Sequence, residues 1–459
     1  MIDAIGRANM DYMVRLANDP DWAGRELAAI NAYCAEHGAL YDGKPVPVPI
    51  KPHFISADQR KLLQEGLRNI HAALERFILY WLESDELQEM WGVTDAERAL
   101  YKADPGYDNS IQVARFDAFL SDDDLKFLEF NCDSPGGTGY ADVIHRGFLE
   151  MFDRNEMGER YHVSNRLRML HLDATLTKCY DQWRSNRPDR PEKPFIAVSD
   201  WHDVGSRPDI DITIRHLVES GHDAVFADPR DLELRDDGLY FQDRRVDLVY
   251  KRVIVKELVE DPDAAALTKA YMAGQVCMVN SPRSVIVGNK KILAALRRPD
   301  VLERLTSLQR RAIERFVPWT EVFRDDKAEC MGFIVHLRDF VADNKDKLVL
   351  KAAQSYGGRD VFLGFETAQE DWQALMDKHI DGEAWIVQRL VDIPKELFPE
   401  VDGDNVHMRL MNVNINPLAF GGDYAGSYTR LSKKNVINVS YGGGMTATMT
   451  IEPREGAFR

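Results

Sequence analysis

Residues 111–131, IQVARFDAFLSDDDLKFLEFN, contain two alternating segments on either side of an acidic turn. Apolar and polar residues alternate over 111–119 and again over 125–130, with three aspartates at 122–124 between them. Alternation with a period of two is typical of β-strands, and an Asp-rich break is typical of a turn. The segment therefore predicts a β-hairpin.

The period of two also predicts which side chains of the hairpin lie together. It assigns two sets to common faces: Val113, Arg115 and Asp117 on the first strand, and Phe127, Glu129 and Asn131 on the second. Glu129 and Asn131 then offer a carboxylate and an amide oxygen side by side, and Asp117 can join them. Hard oxygen ligands on a sheet suit Mg²⁺, which usually adds water and nucleotide phosphate. The alternative is a surface pairing of Arg115 with an acidic neighbour.

Residues 348–364, LVLKAAQSYGGRDVFLG, form a second informative segment. An apolar strand ends in Lys351, and a small, glycine-bearing loop leads to another strand. Backbone amides of such a loop can surround phosphates while the lysine neutralises their charge. The segment lacks both G-x-x-x-x-G-K-[ST] and G-x-G-x-x-G. A plain hairpin with a glycine turn is the alternative reading. Residues 383–390, EAWIVQRL, predict a strand edge at which a purine could bond to backbone.

The flanking sequence predicts a mixture of helices and strands. Residues 56–92 have the spacing of an amphipathic helix, with Asp58 as candidate N-cap. Three prolines near 188–194 mark a linker. The remaining predicted elements are strands at 195–198, 224–227, 246–250, 348–350 and 385–388, helices near 208–219 and 289–314, and paired strands from 407 to 441. The series from 195 to 250 predicts a small α/β unit.

Composition limits the classes of protein and partner. The 459 residues allow two or three structural units, and 44% hydrophobic with 29% charged residues is ordinary for a soluble globular protein. A net charge of −17 disfavours nucleic acid as a partner. No run reaches the roughly 18 apolar residues that a membrane span needs. Five scattered cysteines without a C-x-x-C pair and an N-terminus without an apolar signal core favour a cytoplasmic location.

Several motifs in one order resemble the circularly permuted ATP-grasp ligases of the glutathionylspermidine-synthetase-like group. The motifs span about residues 110–445 and are Arg115-Phe-Asp117, Glu129-Phe-Asn131-Cys-Asp-Ser-Pro-Gly-Gly137, Asn280-Ser-Pro-Arg-Ser-Val-Ile-Val-Gly-Asn-Lys-Lys291, Lys351 with its glycine loop, and Arg430 before Asn438-Val-Ser-Tyr-Gly-Gly-Gly444. The E-x-N motif precedes the nucleotide loop, whereas it follows that loop in ordinary ATP-grasp enzymes. The order thus resembles a permuted chain, and we expect it to lack the amidase domain of the bifunctional members.

The resemblance implies roles for individual residues. The implied sets are Asp117, Glu129 and Asn131 as Mg²⁺ ligands, Lys290 and Lys351 on the ATP phosphates, Ser355, Tyr356, Gly357 and Gly358 in the loop over the γ-phosphate, Gln388, Arg389 and Leu390 as the adenine hinge, and Arg115 and Arg430 on the reacting acyl phosphate. ATP and two Mg²⁺ ions are the implied cofactors. Gln388-Arg389 replaces the acidic residue expected on the hinge, so adenine contacts would depend on backbone.

Substrate residues do not transfer from the family. Ser134 is a candidate for the acyl-acceptor region, with a turn-stabilising role as the alternative. Lys251 and Arg252, at the end of the central strand, are candidates for binding a substrate carboxylate; a solvated basic strand end is the alternative.

The expected fold is α/β (α+β), an ATP-grasp fold in permuted order. The implied divisions are a helical N-terminal region at 1–105, a metal-binding part of the core at 106–190, a central α/β domain at 191–285, a lid subdomain with the glycine loop and hinge at 286–400, and the C-terminal part of the core at 401–459.

The resemblance implies an ATP-dependent carboxylate–amine ligase that works through an acyl phosphate and releases ADP and phosphate. A small-molecule kinase and a catalytically silent ATP-binding scaffold are the alternatives. The implied partners are a small-molecule or peptide carboxylate and an amine. We expect no nucleic acid and no membrane partner, and a homo-oligomer is compatible with the sequence.

Overall fold

The structure is a computed structural model. It describes residues 3–19, 21–41, 43–155, 157–163, 167–330, 332–355, 360–380, 382, 384–403, 405–437 and 443–454.

The helices of the described residues lie between Ala4 and His379. In chain order they are α1 Ala4–Asn18, α2 Trp22–Glu36, α3 Ala57–Glu83, α4 Asp85–Trp91, α5 Asp95–Lys102, α6 Thr138–Arg154, α7 Met157–Arg160, α8 Arg168–Arg184, α9 Arg207–Glu219, α10 Val255–Glu260, α11 Ala265–Met272, α12 Val285–Gly288, α13 Ile292–Ala295, α14 Pro299–Glu303, α15 Ser307–Phe316, α16 Leu337–Asp343 and α17 Gln369–His379.

Strands predominate among the described residues after His379. In chain order the strands are β1 Leu40–Tyr41, β2 Lys44–Pro45, β3 His53–Ile55, β4 Val113–Ser121, β5 Asp124–Asn131, β6 Tyr161–Val163, β7 Phe195–Ser199, β8 Asp223–Ala227, β9 Leu232–Arg235, β10 Gly238–Phe241, β11 Arg244–Val246, β12 Leu248–Lys251, β13 Cys277–Val279, β14 Thr320–Val322, β15 Lys327–Cys330, β16 Phe333–His336, β17 Leu348–Ala352, β18 Val361–Leu363, β19 Trp385–Arg389, β20 Lys395–Asp402, β21 Asn405–Phe420, β22 Asp423–Ser432 and β23 Gly444–Pro453.

The largest sheet joins the predicted hairpin to the C-terminal strands. Its order is β3-β23-β22-β21-β4-β5, with β20 paired to β21 and β6 to β23. Phe77 of α3 and Phe116 of β4 belong to one apolar core, and Phe148 of α6 and Met449 of β23 belong to another. The sheet therefore separates two cores and fixes the hairpin in the middle of the molecule.

A β-bulge corrects one predicted face of the hairpin. Asp117 pairs with Glu129, but Ala118 pairs with Phe127, so Leu128 is the extra residue. Phe127 consequently lies in the core, with its ring centroid 5.3 Å from that of Phe116, and does not share a face with Glu129.

The predicted helix at 56–92 is two helices, α3 and α4. Ser56, not Asp58, caps α3: its side chain accepts a hydrogen bond from the Gln59 amide at 3.1 Å, and the Gln59 side chain accepts one from the Ser56 amide at 2.9 Å. Ser84 then ends α3 and caps α4 through the Leu87 amide at 3.3 Å. The predicted helix near 289–314 is also divided, because Pro299 starts α14 and Thr306 caps α15.

The predicted α/β unit is confirmed as a parallel sheet of order β13-β12-β7-β8. In another sheet, of order β14-β19-β17-β18, each pair of neighbouring strands is antiparallel. It contains β17 and β18, the strands on either side of the predicted glycine loop, and Lys351 of β17 pairs with Val361 on one side and Ile386 on the other. Lys351 therefore lies on an inner strand.

All five cysteines are buried and none forms a disulfide. Among the helices of the described residues, none combines the length and the apolar character required to cross a bilayer.

Candidate active site

A cavity of about 720 Å³ lies where the three sheets approach one another. Its walls come from the hairpin β4–β5, from the segments that follow β7 and β12, from β17 and β19, and from β22. The predicted site residues on its wall are Arg115, Asp117, Glu129, Asn131, Ser134, Arg252, Lys290, Lys351, Ser355, Gln388, Arg389, Leu390 and Arg430.

Three oxygen-bearing side chains of the hairpin converge in this cavity. The Asn131 amide group donates to Asp117 Oδ1 at 3.1 Å and to Glu129 Oε1 at 3.2 Å. Asn131 pairs with Arg115 in register, and Asp117 pairs with Glu129, so the bulge leaves this part of the face intact. The hairpin therefore places one amide within hydrogen-bond distance of two carboxylates.

Two arginines bind the central carboxylate of this group. Arg115 Nε donates to Asp117 Oδ1 at 3.0 Å, and a guanidinium nitrogen of Arg430 donates to Oδ2 at 3.1 Å. Arg115 also donates to the Gly136 carbonyl at 3.3 Å, and Arg430 to the Tyr428 hydroxyl at 3.2 Å. Both arginines thus face the cavity at a fixed position beside the carboxylates.

Two lysines approach the same point from the other side. Lys290 Nζ lies 3.3 Å from Glu129 Oε2 and donates to the Ser355 carbonyl at 2.8 Å. Lys351 Nζ donates to Gln388 Oε1 at 2.6 Å, and the Gln388 amide donates to Thr320 Oγ1 at 3.0 Å. Two ammonium groups beside one cavity repel each other, so an anion between them would be stabilised.

The pKa values show how strongly these groups interact. Burial would raise the pKa of Glu129, but the charges of Lys290, Lys351 and Arg115 outweigh it and lower the pKa to about 2. Burial lowers the pKa of Lys351 to about 8, although Glu129 opposes that shift. Glu129 is therefore ionised at neutral pH, and the charge of Lys351 changes just above it.

The end of the cavity that is formed by β17, β18 and the segment after β19 is apolar. It is lined by Val349, Val361, Leu363, Leu390, Val391 and Ile393. The Arg389 amide donates to the Trp319 carbonyl at 2.9 Å and the Leu390 amide to the Lys347 carbonyl at 2.8 Å. Two amides of the predicted hinge are therefore already used within the protein, which limits the backbone donors left for a base.

Asn280, from the motif at 280–291, positions the hairpin. Its Oδ1 accepts from the Val113 amide at 2.7 Å and the Gln112 amide at 3.1 Å, and its Nδ2 donates to the carbonyls of Val113 at 2.6 Å and Cys132 at 2.8 Å. The side chain is 1% exposed. It links the start of β4 to the end of β5 and so fixes the strands that carry the carboxylates.

The three candidate substrate residues have different surroundings. Lys251 does not line the cavity, because its buried ammonium lies 2.5 Å from Asp133 Oδ1 and also donates to two carbonyls. Ser134 lines the cavity, and its hydroxyl donates to the carbonyl of Arg252, which is 118 residues away in sequence. Arg252 lines the cavity and is paired with Asp209 at 3.2 Å. It is 4% exposed, so the predicted alternative of a solvated strand end does not apply.

Tyr356, Gly357 and Gly358 lie outside the described residues. Sequence reasoning missed the wall formed by Asp200 and Trp201, which directly follow β7. A usable signal was present, since ligands of open α/β sheets bind beyond the carboxyl ends of the strands.

The residues present fit Mg²⁺ and a nucleotide phosphate. Two carboxylate oxygens and an amide that presents oxygen after a flip match the ligands that Mg²⁺ prefers, with water and phosphate completing the set. Within the described ranges, no group of three or more His, Cys, Asp or Glu side chains forms a metal site. The oxygen set therefore depends on Asn131 as well as on the two carboxylates.

Comparisons with known proteins find distant relatives. No protein-family model matches the chain. A putative glutamate–cysteine ligase of Frankia alni is 27% identical over 412 residues, which are 84% of this chain and 45% of that protein. The chain thus spans about half the length of that relative. An uncharacterized protein of Mycobacterium bovis is 23% identical over 444 residues, covering 90% of this chain and 75% of that one.

A solved structure shares the fold. The glutathione synthetase-like effector of Globodera pallida superposes with a TM-score of 0.63 at 12% identity, over 94% of this chain and 98% of that chain. The predicted mixed α/β class is therefore confirmed at the level of the fold.

Proposed function

We propose that the protein is an ATP-dependent ligase that joins a carboxylate to an amine. The observation that carries this proposal is the convergence of Glu129 and Asp117 with Lys290 and Lys351 in one cavity. The similarity to a putative glutamate–cysteine ligase and the fold shared with a glutathione synthetase-like effector support a peptide-forming ligase. The chain order of the motifs supports a permuted ATP-grasp arrangement.

The proposed role of each residue follows from its charge. Asp117, Glu129 and Asn131 would hold Mg²⁺, and Lys290 and Lys351 would hold the nucleotide phosphates. The apolar end beside Leu390 would take the base. Preorganised cations beside a transferring phosphoryl group stabilise the charge that develops there.

Arg115 and Arg430 are placed to orient an anionic substrate. Both contact Asp117, so each guanidinium lies next to the proposed metal ligands while keeping further N–H donors. ATP would supply the phosphoryl group that activates the substrate carboxylate, and the amine would then displace phosphate. No protein nucleophile is required for this reaction.

The test is a product assay with ATP, Mg²⁺ and pairs of acids and amines. We expect ADP and phosphate to appear with an amide product, only when both substrates are present. Arg430→Gln should abolish product formation, whereas Arg409→Gln, which removes an exposed arginine paired with Glu400, should not. A stable phosphorylated acid in place of an amide would overturn the ligase proposal and favour a kinase.

A further inference from the structure

The side chain of Gln388 lies on the cavity wall between those of Lys351 and Thr320. Gln388 belongs to β19, which has β17 on one side and β14 on the other. It pairs with Thr320 of β14, and on β17 it pairs with Val349, so that Lys351 is its diagonal neighbour. Paired residues, and residues two apart on a strand, share a face of a sheet. The side chains of Lys351, Gln388 and Thr320 therefore lie in a row on one face.

The hydrogen bonds of Gln388 fix the orientation of its amide group. Thr320 Oγ1 donates to the Pro318 carbonyl at 3.1 Å and accepts from the Gln388 amide nitrogen at 3.0 Å. The amide oxygen of Gln388 accepts from Lys351 Nζ at 2.6 Å. Because a carbonyl only accepts and an ammonium only donates, the two ends of this chain exclude the flipped amide. Gln388 is 2% exposed and Thr320 is not exposed, so the chain is held inside the protein.

The contact with Gln388 is the one hydrogen bond of the Lys351 ammonium within the described part of the chain. The charges of Glu129, Asp117 and Lys290 act on this ammonium through space, but none of the three is hydrogen-bonded to it. An ammonium group has three N–H donors, so two of them remain for a ligand. Lys351 lines the cavity, and its remaining donors are therefore available there.

The neutrality of the Gln388 amide matters for the binding of an anion. A carboxylate in its place would pair with Lys351 and cancel part of the attraction of the ammonium for phosphate. An apolar side chain would leave the buried ammonium without a fixed acceptor. The amide holds the ammonium in place and leaves its charge to the ligand.

We infer that Gln388, held by Thr320, is a positioning residue that directs the Lys351 ammonium at the nucleotide phosphates. This inference rests on the proposed function and adds a role for the Gln388 side chain at the phosphate end of the cavity. The sequence alone assigned residue 388 to the adenine hinge, with contacts through the backbone.

The test is a double-mutant cycle in which the Kd of a non-hydrolysable ATP analogue with Mg²⁺ is measured by ligand-observed NMR, which also detects weak binding. Gln388→Met should raise the Kd roughly tenfold, because the ammonium is no longer directed at the phosphates. In a Lys351→Met background the same substitution should leave the Kd unchanged, because Gln388 acts through Lys351. Gln373→Met is the matched control, since this glutamine of α17 donates to Asp377 at 2.9 Å and does not line the cavity.

Thr320→Val is the second variant, and it replaces the hydroxyl that holds the Gln388 amide with a methyl group of similar size. It should also raise the Kd when Lys351 is present and leave it unchanged in the Lys351→Met background, so it decides the inference if Gln388→Met does not fold. A purely structural role would raise the Kd in both backgrounds alike.

An equal loss of affinity in the two backgrounds would overturn the inference, as would an unchanged Kd of both variants with Lys351 present. In either case the wild type still binds the analogue, and the proposed function stands. Failure of the wild type itself to bind the analogue would refute the proposed function, and the inference with it.

Discussion

Asp117 is the residue at which the charges of the site meet. Its two oxygens accept from Arg115, Asn131 and Arg430, which come from three different strands of the large sheet. Glu129 lies beside it and contacts Lys290. The site is therefore a network of alternating charges in which each group orients the next.

Glu129→Gln should reduce Mg²⁺-dependent ATP turnover by at least roughly 100-fold, because a charged ligand of the proposed metal is lost. The side chain of Glu129 is 28% exposed, so we expect little change in thermal stability. Asp124→Asn on the same strand, an exposed carboxylate paired with Lys126, is the control. Turnover measured against Mg²⁺ concentration checks the prediction, and normal turnover of Glu129→Gln at low Mg²⁺ would refute the metal assignment.

The charge of Lys351 should make nucleotide affinity depend on pH. Its pKa of about 8 lies below the ordinary lysine value, so the ammonium loses its proton as the pH rises through 8. The Kd of a non-hydrolysable ATP analogue should therefore rise above pH 8, by up to about tenfold per pH unit for one linked proton.

Lys351→Arg is the control for this pH dependence, since arginine stays charged over the whole range. Calorimetric titrations from pH 7 to 9 should give a flat Kd for the variant, whatever its absolute affinity. The same rise in both proteins would show that another group is responsible.

Some residue contacts could be predicted and others could not. The alternation in the hairpin is sufficient to bring Asp117, Glu129 and Asn131 together, because the period of two is a local property. The burial of Lys251 is not local: its partner Asp133 is 118 residues away in sequence, and no spacing rule connects them.

At the scale of elements, helix α3 supports the hairpin that carries the site. Gly66 allows α3 to approach the second strand: a Cβ there would lie 3.1 Å from Leu125 Cδ2 and 3.3 Å from Phe127. The two elements are thus packed without space for an additional side chain, and the position of Glu129 depends on this contact.

Gly66→Leu should therefore lower the free energy of unfolding by about 1–3 kcal/mol, because the new side chain overpacks the core. Gly24→Leu in α2 is the matched control, since apart from the neighbouring residues and the backbone of its own helix no atom lies within 4 Å of a Cβ at that position. Gly24→Leu should leave the free energy of unfolding unchanged or raise it by up to about 1 kcal/mol, because leucine has a higher helix propensity than glycine. Urea unfolding measures both, and equal stability of the two variants would contradict the close packing of α3.

The sequence predicted the types of the elements better than it predicted their bulges and caps. The α/β unit at 195–250 was predicted because its apolar strands and linker prolines are local signals. The bulge at Leu128 was missed, since an extra apolar residue beside Phe127 does not disturb the pattern visibly. The cap at Ser56 was readable in its pairing with Gln59, three residues on.

At the scale of the molecule, buried ion pairs connect elements that are distant in sequence. Asp209 of α9 accepts from the amides of Gly137, Gly139 and Tyr140 at the start of α6 and pairs with Arg252 after β12. Its side chain is not exposed at all. One carboxylate thereby joins two helices to the parallel sheet.

Asp209→Asn should lower the free energy of unfolding by about 3–5 kcal/mol, because Arg252 would keep a buried charge without its partner. Asp211→Asn, on the same helix, removes an exposed pair with Arg207 and should change it by no more than about 1 kcal/mol. Chemical denaturation distinguishes the two. A cost for Asp209→Asn no larger than that for Asp211→Asn would refute the structural role of the buried pair.

Local sequence patterns could not predict which distant strands pair. The order β3-β23-β22-β21-β4-β5 joins strands more than 300 residues apart, and pairing over such distances leaves no periodic signal. The predicted division at residue 400 falls inside β20, and that at 285 falls at the first residue of α12, whereas those at 105 and 190 fall between elements. The domain limits remain predictions.

The most direct test of the proposed nucleotide site is a crystal structure of the chain with a non-hydrolysable ATP analogue and Mg²⁺. We expect phosphate oxygens at Lys290 and Lys351, the metal at Asp117 and Glu129, and the base against the apolar end beside Leu390. An analogue bound elsewhere, or one that contacts neither lysine, would contradict the proposed site.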